Sequence, residues 1–218
     1  MPRGQIAIAL PKGRLLPEAI KLFEVTGISG LEDLTESRRL ACADATGAYR
    51  FLVLRPADIP TYVEYGATDI GVVGKDILLE QERDVYEPLD LKFGACRLVV
   101  AQPKNRQHQG RGVGVSAVRV ATKYPKLAER YFTEQGVQAE IIRLSGSIEL
   151  APQLGLCEWI VDLVDTGRTL AENELEEVEQ IATATARLII NRAALKTKYQ
   201  QVRGLIDRLT AVVQKGRA

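Results

Sequence analysis

Short runs of apolar and β-branched residues alternate along the chain with longer segments in which apolar residues recur every three or four positions. Residues 5–10 are the first such run and predict a β-strand. In residues 15–26 the side chains of Leu16, Ile20 and Phe23 fall on one face, which predicts an amphipathic helix. The two patterns continue to alternate to the end of the chain.

The same reasoning places the remaining elements. Further strands are predicted at residues 39–43, 49–54, 68–73, 95–101, 118–121, 140–144, 159–164 and within 181–191. Further helices are predicted after Pro56 as far as Gly66, at 75–82, 124–135 and 192–214, and as a short turn after Gly167. Strands that alternate with helices through short connections are typical of an α/β protein with mostly parallel sheets. No flexible linker is present, so a chain of two lobes would cross between them in polar segments such as 84–94 and 172–180.

The charge balance restricts the kind of ligand. The chain has 29 Lys and Arg residues against 28 Asp and Glu residues, a net charge of +1. Coating of duplex nucleic acid needs a concentrated basic face, so that function is not expected, whereas a local basic pocket for a small phosphorylated ligand is compatible. No apolar run approaches the ~20 residues needed to cross a bilayer, and the first apolar stretch is too short for a secretory signal.

Cysteine and histidine contribute little to the candidate chemistry. Cys42, Cys96 and Cys157 are odd in number and far apart in sequence, so we interpret them as small hydrophobic residues in a reducing, cytoplasmic protein. The single histidine, His108, lies in a polar loop at residues 102–114, where we expect it to be solvated. A histidine-based mechanism and a metal site built from protein side chains are therefore not expected.

The most informative stretch is EWIVDLVDTGRTL at residues 158–170. A buried strand runs into a turn that contains Thr166, Gly167 and Thr169, and a helix then begins. Glycine permits a backbone in which several N–H groups converge, and the helix start adds free donors and the positive end of its dipole. Such a turn can hold a phosphate dianion. The simpler alternative is an ordinary strand–turn–helix with a capping threonine.

Two acidic residues precede this turn. Asp162 and Asp165 would repel a phosphate, but their carboxylates can accept hydrogen bonds from sugar hydroxyls farther along the same ligand. A phosphate socket beside carboxylates therefore suits a ribose 5-phosphate.

Six stretches together resemble the ATP phosphoribosyltransferase family, in its short form. In chain order they are LPKGRL at 10–15, RPADIP at 55–60, GATDIGVVG at 66–74, FGACRL at 93–98, ATKYP at 121–125, and the region 144–170, which joins LSGSIELAP to the loop. The resemblance covers about residues 5–192. Two positions depart from the family pattern. Asp165 stands where the family often has a small polar residue, and Glu174 stands where a glycine is expected in the turn after the loop.

The resemblance implies a fold and an activity. The fold would be α/β with two lobes like those of type II periplasmic solute-binding proteins, and the active site would lie in the interlobe cleft. Lobe I would comprise residues 1–90 and 178–218, on the nucleotide side, and lobe II residues 91–177, with the phosphoribosyl pyrophosphate loop. The activity would be transfer of phosphoribosyl from phosphoribosyl pyrophosphate to N1 of ATP, which releases pyrophosphate and opens histidine biosynthesis.

The resemblance also implies the binding residues. Phosphoribosyl pyrophosphate would be bound by Asp162, Asp165, Thr166, Gly167, Arg168 and Thr169. ATP or polyphosphate would be bound by Lys12, Gly13, Arg14, Arg55, Asp69 and Gly71. Asp162 and Arg14 are expected to be catalytic through position and charge. Magnesium would be carried mainly by substrate oxygens and water, as suits an ion that uses few protein ligands.

Several of these positions have plainer alternatives from the residues alone. Lys12 and Arg14 also fit a solvated basic turn, Arg55 fits a surface ion pair, and Asp69 fits a strand-edge cap. Gly71 fits close approach either to a ligand or to a neighbouring strand.

Two further residues are candidates for the site. Arg97 is a charge in an otherwise apolar strand, which is costly unless a bound anion or a buried acid pairs with it. Glu149 opens a helical segment after Ser145-Gly146-Ser147 and either faces the site or belongs to a capping box.

Two other functions remain open at this point. A phosphoribosyltransferase for another base usually has two adjacent acids at the start of the loop, whereas Asp162 and Asp165 are separated. A non-catalytic, two-lobe ligand-binding module would have no use for the phosphate loop.

The end of the chain bears on partners. Short members of the family work with a regulatory subunit that resembles histidyl-tRNA synthetase, so the resemblance implies a hetero-oligomer. An apolar stripe follows the terminal helix through Leu195, Tyr199, Val202, Ile206, Leu209 and Val213. This stripe would pack on its own lobe, on an identical subunit or on the partner.

Overall fold

The computed structural model describes residues 4–32, 34, 39–104 and 117–216. It divides the chain into two compact units, one of Met1–Gly94 with Thr185–Ala218 and the other of Ala95–Ala184. His108 and most of the polar loop predicted around it lie outside the described residues. No helix among the described residues is both long and apolar enough to span a bilayer.

The elements follow the predicted alternation. The strands are β1 (Ile6–Pro11), β2 (Ala41–Ala43), β3 (Tyr49–Leu54), β4 (Ile70–Gly74), β5 (Tyr86–Asp90), β6 (Cys96–Pro103), β7 (Val118–Thr122), β8 (Ala139–Arg143), β9 (Trp159–Val164), β10 (Leu175–Ala184) and β11 (Ala186–Ile190). The helices are α1 (Leu16–Val25), α2 (Ile59–Glu64), α3 (Lys75–Gln81), α4 (Pro125–Glu134), α5 (Arg168–Glu172), α6 (Arg192–Thr197) and α7 (Tyr199–Lys215). Short 3-10 turns occupy Pro56–Asp58 and Ile148–Leu150.

The first unit is built on a mixed sheet with the strand order β2-β3-β1-β4-β11-β5. Strands β3, β1 and β4 are parallel, and β2, β11 and β5 are antiparallel to their neighbours. Helices α1 and α7 pack on one face through residues such as Phe23 and Val202, and α2 and α3 pack on the other through Ile59 and Ile77. Because both faces are covered, every residue of β1 is buried, which explains its unbroken apolar run.

The second unit has the strand order β10-β6-β9-β7-β8. Strands β9, β7 and β8 are parallel, whereas β6 runs antiparallel to both β9 and β10. One apolar cluster joins Val99, Ala121 and Ile160 of the sheet to Ile148 and to Leu170 of α5. This packing ties the end of β9 to the segments that follow it.

Strand β5 was not predicted, and only the last residues of β10 fall within a predicted strand; both lie at sheet edges. β5 occupies the edge of the first sheet and β10 the edge of the second. Edge strands face solvent and carry many charged residues, so their sequences contain no apolar run. In β10, Glu176, Glu177 and Glu179 each bind a polar partner on a neighbouring element. The sequence predicted a crossing between units at 172–180. This segment instead contains the end of a helix and half of a strand, so that prediction is wrong.

The chain leaves the first unit after Gly94 and returns at Thr185, rather than at 90/91 and 177/178 as the sequence suggested. The two passing segments bind each other within the first unit: Leu91 N–H donates to Ala186 O and Ala186 N–H donates to Phe93 O, both at 2.9 Å. Thr185 Oγ1 also donates to Asp90 at 2.8 Å. These bonds interrupt the strand predicted at 181–191, which becomes β10 and β11 in two different sheets.

The terminal helix packs on its own unit. Val202, Leu205 and Leu209 are fully buried in the core of the first unit, whereas Tyr199 of the predicted stripe is 60% exposed. The actual buried stripe is thus rotated toward Leu205. Of the alternatives left open for the predicted stripe, packing on its own lobe holds for Val202 and Leu209. In α2, Ile59 and Val63 are fully buried, whereas Tyr62 is 42% exposed.

Two smaller sequence inferences have different outcomes. Glu174, where the family pattern led us to expect glycine, adopts φ +56°, a left-handed conformation that favours glycine. Of the three cysteines, which form no disulfide, Cys157 is buried as expected, but Cys42 and Cys96 are partly exposed.

Gly71 provides a test of the packing in the first unit. A Cβ at this position would lie 2.7 Å from Ile59 Cγ2 and 2.9 Å from Val63 Cγ2, both on α2. We expect Gly71→Ala to lower the free energy of unfolding by about 1–3 kcal/mol, because overpacking forces the helix away from the sheet. Urea unfolding of the purified variant measures this change.

Gly204→Ala is the matched control. Gly204 lies inside α7, and no atom of its surroundings comes within 4 Å of the place that an added methyl group would take. Alanine should therefore stabilise the helix by about 0.5–1 kcal/mol. Equal stability of Gly71→Ala and the parent would contradict close packing of α2 on β4.

Candidate active site

Three parallel strands of the second unit end at one edge of the sheet. Thr122 of β7 pairs with Val161 of β9 and with Arg143 of β8, so the segments that follow these strands begin side by side. Ligands of open α/β sheets bind outside the carboxyl ends of the strands. This edge carries Lys123, the segment 144–150 and the loop 165–169.

The loop after β9 has the geometry expected of an anion socket. Gly167 adopts φ +79° and precedes α5, which begins at Arg168. The first hydrogen bond of the helical turn runs from Ala171 N–H to Gly167 O at 3.1 Å. The amides that precede Ala171 have no partner within the helix, as at every helix start. The Thr166 hydroxyl accepts a long hydrogen bond from Arg168 N–H at 3.4 Å, and Thr169 is exposed.

The side chain of Arg168 makes an ion pair outside the loop. Its Nε donates to Glu172 Oε1 at 2.8 Å, and both side chains are more than half exposed. The structure therefore places this guanidinium along the outer surface of α5, paired one helical turn ahead. Its backbone N–H remains part of the loop, so the predicted contribution of Arg168 is one of backbone rather than side chain.

Asp162 is a partly buried carboxylate close to this loop. Its Oδ1 accepts a hydrogen bond from Leu163 N–H at 2.8 Å. The pKa of Asp162 is raised to about 6, mainly because burial disfavours the charged form. The hydrogen bond from Leu163 N–H lowers the pKa. The negative charge of Glu149 raises it further, and the positive charge of Lys123 lowers it. Asp162 is thus a carboxylate at neutral pH that the protein holds in an unfavourable environment, which is frequent at functional sites.

Glu149 and Lys123 are the charged residues on neighbouring elements that influence the pKa of Asp162. Glu149 lies in the 3-10 turn after β8, and Ser147, which precedes that turn at φ +52°, makes no side-chain capping bond. The capping-box alternative for Glu149 is therefore not supported. Lys123 was not among the predicted site residues, although it lies within the ATKYP motif. Its position directly after the carboxyl end of β7 was the signal that could have identified it.

Thr122 fixes the turn from which Lys123 projects. The side chain of Thr122 is fully buried, and its Oγ1 donates to Val161 O at 2.7 Å. The same oxygen accepts from Tyr124 N–H at 2.9 Å. The buried hydroxyl of Thr122 therefore joins the end of β7 to β9 and fixes the backbone of Tyr124, so that the turn around Lys123 is held in place.

The first unit has its own group of basic residues at strand ends. Lys12, Gly13 and Arg14 follow β1, and Arg55 follows the parallel strand β3. Lys12 N–H donates to Leu54 O at 2.8 Å, which joins the two strand ends. Gly13 turns the chain at φ +99°, and Arg14 reaches Gly94 O at 3.4 Å. Arg55 is exposed and makes no ion pair with a described residue, so the surface ion pair proposed as its alternative is absent there.

Two residues predicted to bind nucleotide lie elsewhere in the first unit. Asp69 precedes β4 and so sits at the amino edge of the parallel strands, opposite to Lys12. Its carboxylate accepts from Ala7 N–H and from Lys198 Nζ, both at 2.8 Å. Gly71 is buried inside β4 beneath α2. Both predictions require correction: Asp69 anchors the strand edge to the start of α7, and Gly71 provides room for helix packing.

Of the two partners expected for Arg97, a bound anion or an acid, the structure shows an acid. Its Nη1 donates to Glu177 Oε1 at 2.7 Å across the β6–β10 pair. Both side chains are partly exposed, so the acid is present but is not buried as predicted. Among the described residues, no group of three or more His, Cys, Asp and Glu side chains could hold a metal ion.

Asp162→Asn tests the cost of burying this carboxylate. The pKa is raised from an ordinary 3.8, so the folded protein binds the proton more tightly than the unfolded chain, and stability falls as pH rises from about 4 to about 6. Each pKa unit corresponds to about 1.4 kcal/mol, so at pH 8 the variant should be more stable than the parent by up to about 3 kcal/mol.

The measurement is urea unfolding of both proteins at pH 4, 6 and 8. The asparagine can still accept from Leu163 N–H, so the difference between the two proteins should come from charge and grow with pH. A difference that does not change with pH would contradict the raised pKa.

Comparisons with known proteins agree on one family. The ATP phosphoribosyltransferase family model matches residues 55–211. An ATP phosphoribosyltransferase from Syntrophotalea carbinolica is 54% identical over 208 residues, which cover 95% of each chain. One from Caldanaerobacter subterraneus subsp. tengcongensis is 51% identical over 213 residues, 97% of this chain and 99% of the relative.

Solved structures extend the comparison to the fold. A chain of the ATP phosphoribosyl transferase (HisG:HisZ) complex from Thermotoga maritima superposes with a TM-score of 0.81 at 34% identity, over 97% of this chain and all of the other. The arginine-bound form of a truncated ArgBP from T. maritima matches with a TM-score of 0.54 at 10% identity, over 98% and 96% of the two chains. The second likeness concerns the fold alone and agrees with the predicted type II solute-binding architecture. By sequence and by structure, the chain belongs to the ATP phosphoribosyltransferase family.

Proposed function

We propose that the second unit binds phosphoribosyl pyrophosphate and that the basic strand ends of the first unit bind ATP. The enzyme transfers the phosphoribosyl group to N1 of ATP, which is the first step of histidine biosynthesis. In our proposal the 5-phosphate occupies the loop 165–169, and Asp162 accepts hydrogen bonds from the ribose hydroxyls. Lys12, Gly13, Arg14 and Arg55 hold the triphosphate.

One observation carries the assignment of the ribose site. A donor-rich turn with Gly167 at φ +79° and a partly buried carboxylate, Asp162, lie toward the same sheet edge. The donors suit a phosphate dianion, whereas the carboxylate suits hydroxyl groups and a developing positive charge. A ribose 5-phosphate presents both kinds of group a few bonds apart. The pairing therefore matches one end of phosphoribosyl pyrophosphate.

The reaction forms one bond and breaks another at the same carbon. N1 of the adenine donates its electron pair to C1 of the ribose, and the C1–O bond breaks with its electrons leaving on pyrophosphate. The carbon becomes cationic as the leaving group departs. An ionised Asp162 stabilises this charge, and the loop amides fix the far end of the sugar. No covalent intermediate with the protein is needed.

We treat magnesium as part of the substrate. The diphosphate and ribose oxygens supply the hard oxygen ligands that Mg²⁺ prefers, with water completing its coordination. Asp162 and Glu149 contribute negative charge nearby, which suits a substrate that arrives with a cation. In this proposal the ion neutralises the leaving group, and the protein residues orient the sugar.

A pyrophosphate-release assay tests the function directly. The enzyme should release pyrophosphate from phosphoribosyl pyrophosphate with ATP as acceptor and not with free purine or pyrimidine bases. Turnover with a base in place of ATP would favour a phosphoribosyltransferase for another acceptor. Tight binding of both ligands without any pyrophosphate release would favour a binding module.

We also propose a regulatory partner that resembles histidyl-tRNA synthetase, and a cytoplasmic location. The matched T. maritima chain comes from a HisG:HisZ complex and is fully covered by this one. Part of α7 is available for such a contact, because Tyr199 is 60% exposed while the opposite side of the helix is buried. The partly exposed thiols of Cys42 and Cys96, which form no disulfide, suit a reducing compartment.

Thr169→Ala tests the phosphate socket. We expect it to weaken phosphoribosyl pyrophosphate binding or turnover by about a hundredfold or more, since loss of one preorganised donor has effects of that order. Isothermal calorimetry and steady-state kinetics measure the two quantities. Thr133→Ala, an exposed threonine on α4 away from the strand ends, is the control and should match the parent. If Thr169→Ala also matched the parent, the socket would be misplaced.

The partner proposal predicts a dependence on a second protein. The purified chain alone should be poorly active and insensitive to histidine, because the regulatory site belongs to the partner. Addition of the regulatory subunit should raise the rate of pyrophosphate release and introduce inhibition by histidine. Full activity with histidine inhibition in the isolated chain would refute the short-form assignment.

A further inference from the structure

Thr122, the last residue of β7, makes hydrogen bonds to three segments at the carboxyl edge of the second sheet. Its hydroxyl donates to Val161 O of β9 at 2.7 Å and accepts from Tyr124 N–H at 2.9 Å. Its backbone carbonyl accepts from Leu144 N–H, the first residue after β8, at 2.9 Å. The whole residue is buried, with no exposed surface. Thr122 therefore joins the end of β9, the segment after β8 and the turn into α4.

The bond to Val161 bears directly on Asp162. Val161 O and the N–H of Asp162 belong to one planar peptide group, so a donor that fixes the oxygen also fixes the orientation of that group. On the other side of β9, Asp162 is level with Val99 of β6. The carboxylate of Asp162 accepts from Leu163 N–H at 2.8 Å, and its direction therefore follows the local backbone.

A purely local role for the hydroxyl explains only one of its two bonds. Tyr124 precedes Pro125, the first residue of α4, and a residue before proline is already restricted in its backbone conformation. The hydroxyl thus has little left to decide in the turn itself. Its bond to Val161, by contrast, joins residues 39 positions apart in the sequence and connects β7 to the strand that carries Asp162.

We propose that Thr122 is a positioning residue for the phosphoribosyl transfer, because its hydroxyl fixes the peptide group that leads into Asp162. The inference rests on the proposed contact between Asp162 and the ribose. Thr122 is buried and touches no substrate, so it acts through the backbone of β9. A displacement of about 1 Å in a group that meets the reacting atoms can cost on the order of a hundredfold in rate.

Two substitutions at this position separate the hydroxyl from the shape of the side chain. Thr122→Val keeps the branched shape and removes the hydroxyl, whereas Thr122→Ser keeps the hydroxyl. We expect Thr122→Val to lower kcat/KM for phosphoribosyl pyrophosphate by about tenfold to a hundredfold. The KM for ATP should stay close to that of the parent, because the proposed ATP residues lie in the first unit. Thr122→Ser should recover most of the rate. Pyrophosphate release with the regulatory subunit present measures these values.

Thr68→Val is the matched control. Thr68 is also a buried threonine, but its hydroxyl has no hydrogen-bond partner among the described residues. This variant should match the parent in its kinetics with both substrates. If it lost activity to the same extent as Thr122→Val, loss of any buried hydroxyl would explain the result and the proposal would fail.

Folding is checked separately from activity. Thr122→Val should unfold at a lower urea concentration than the parent, because the buried N–H of Tyr124 loses its acceptor. Circular dichroism identifies a temperature at which each variant is folded, and the rates are compared there. If Thr122→Val does not fold, Thr122→Cys and Thr122→Ser supply the same comparison, since they differ only in one atom and a thiol is a weak donor.

A double-mutant cycle decides whether Thr122 acts through Asp162. In the Asp162→Asn background the charge is already lost, so Thr122→Val should cost much less than it does in the parent. A purely structural role predicts the same loss in both backgrounds. Additive losses, an equal loss for ATP and phosphoribosyl pyrophosphate, or no recovery in Thr122→Ser would each overturn the proposal.

The outcomes for this inference and for the proposed function differ. A parent enzyme that releases no pyrophosphate with the partner present would refute the function, and the inference with it. An active parent with additive losses in the cycle would refute the role of Thr122 alone and leave the function intact.

Discussion

The second unit depends on the parallel pairing of β9 with β7 in one register. That register places Thr122 beside Val161 and is locked by a buried hydrogen bond between the Thr122 hydroxyl and Val161 O. A shift of one residue would turn each side chain of β9 to the other face and remove Ile160 and Val164 from the apolar cluster that they share with Ile148 and Leu170. Because the strands are parallel, both of their carboxyl ends reach the same edge, and the phosphate loop begins there beside Lys123.

The same pairing explains why the ionised Asp162 lowers the stability of the fold. A carboxylate in the last half of a buried strand loses hydration, and burial is the largest cause of its raised pKa. The N–H of Leu163 and the charge of Lys123 recover part of this loss. A group that lowers stability at neutral pH persists when it contributes to function, and in the proposed function Asp162 would supply negative charge where the ribose becomes cationic.

The first unit separates exposed basic residues from scaffold residues by the two edges of its sheet. Lys12, Arg14 and Arg55 lie at the carboxyl ends of parallel strands, where their side chains reach solvent. Asp69 lies at the amino ends and joins Ala7 to Lys198. The motif GATDIGVVG spans both edges, from Asp69 before the amino end of β4 to Gly74 at its carboxyl end.

The sequence by itself determined the α/β alternation and the turn at residues 165–169, because apolar periodicity and turn chemistry are local properties. The ribose-binding role of Asp162 was also expected from the sequence and stays a prediction. The family pattern also led us to expect a glycine at position 174, and Glu174 adopts the positive φ that favours glycine. Only the tertiary structure decided the edge strand β5, the extent of β10, the structural role of Asp69 and the influence of Lys123 and Glu149 on the pKa of Asp162. Each of these depends on strand order and register, which bring together residues far apart in sequence and leave no local pattern along the chain.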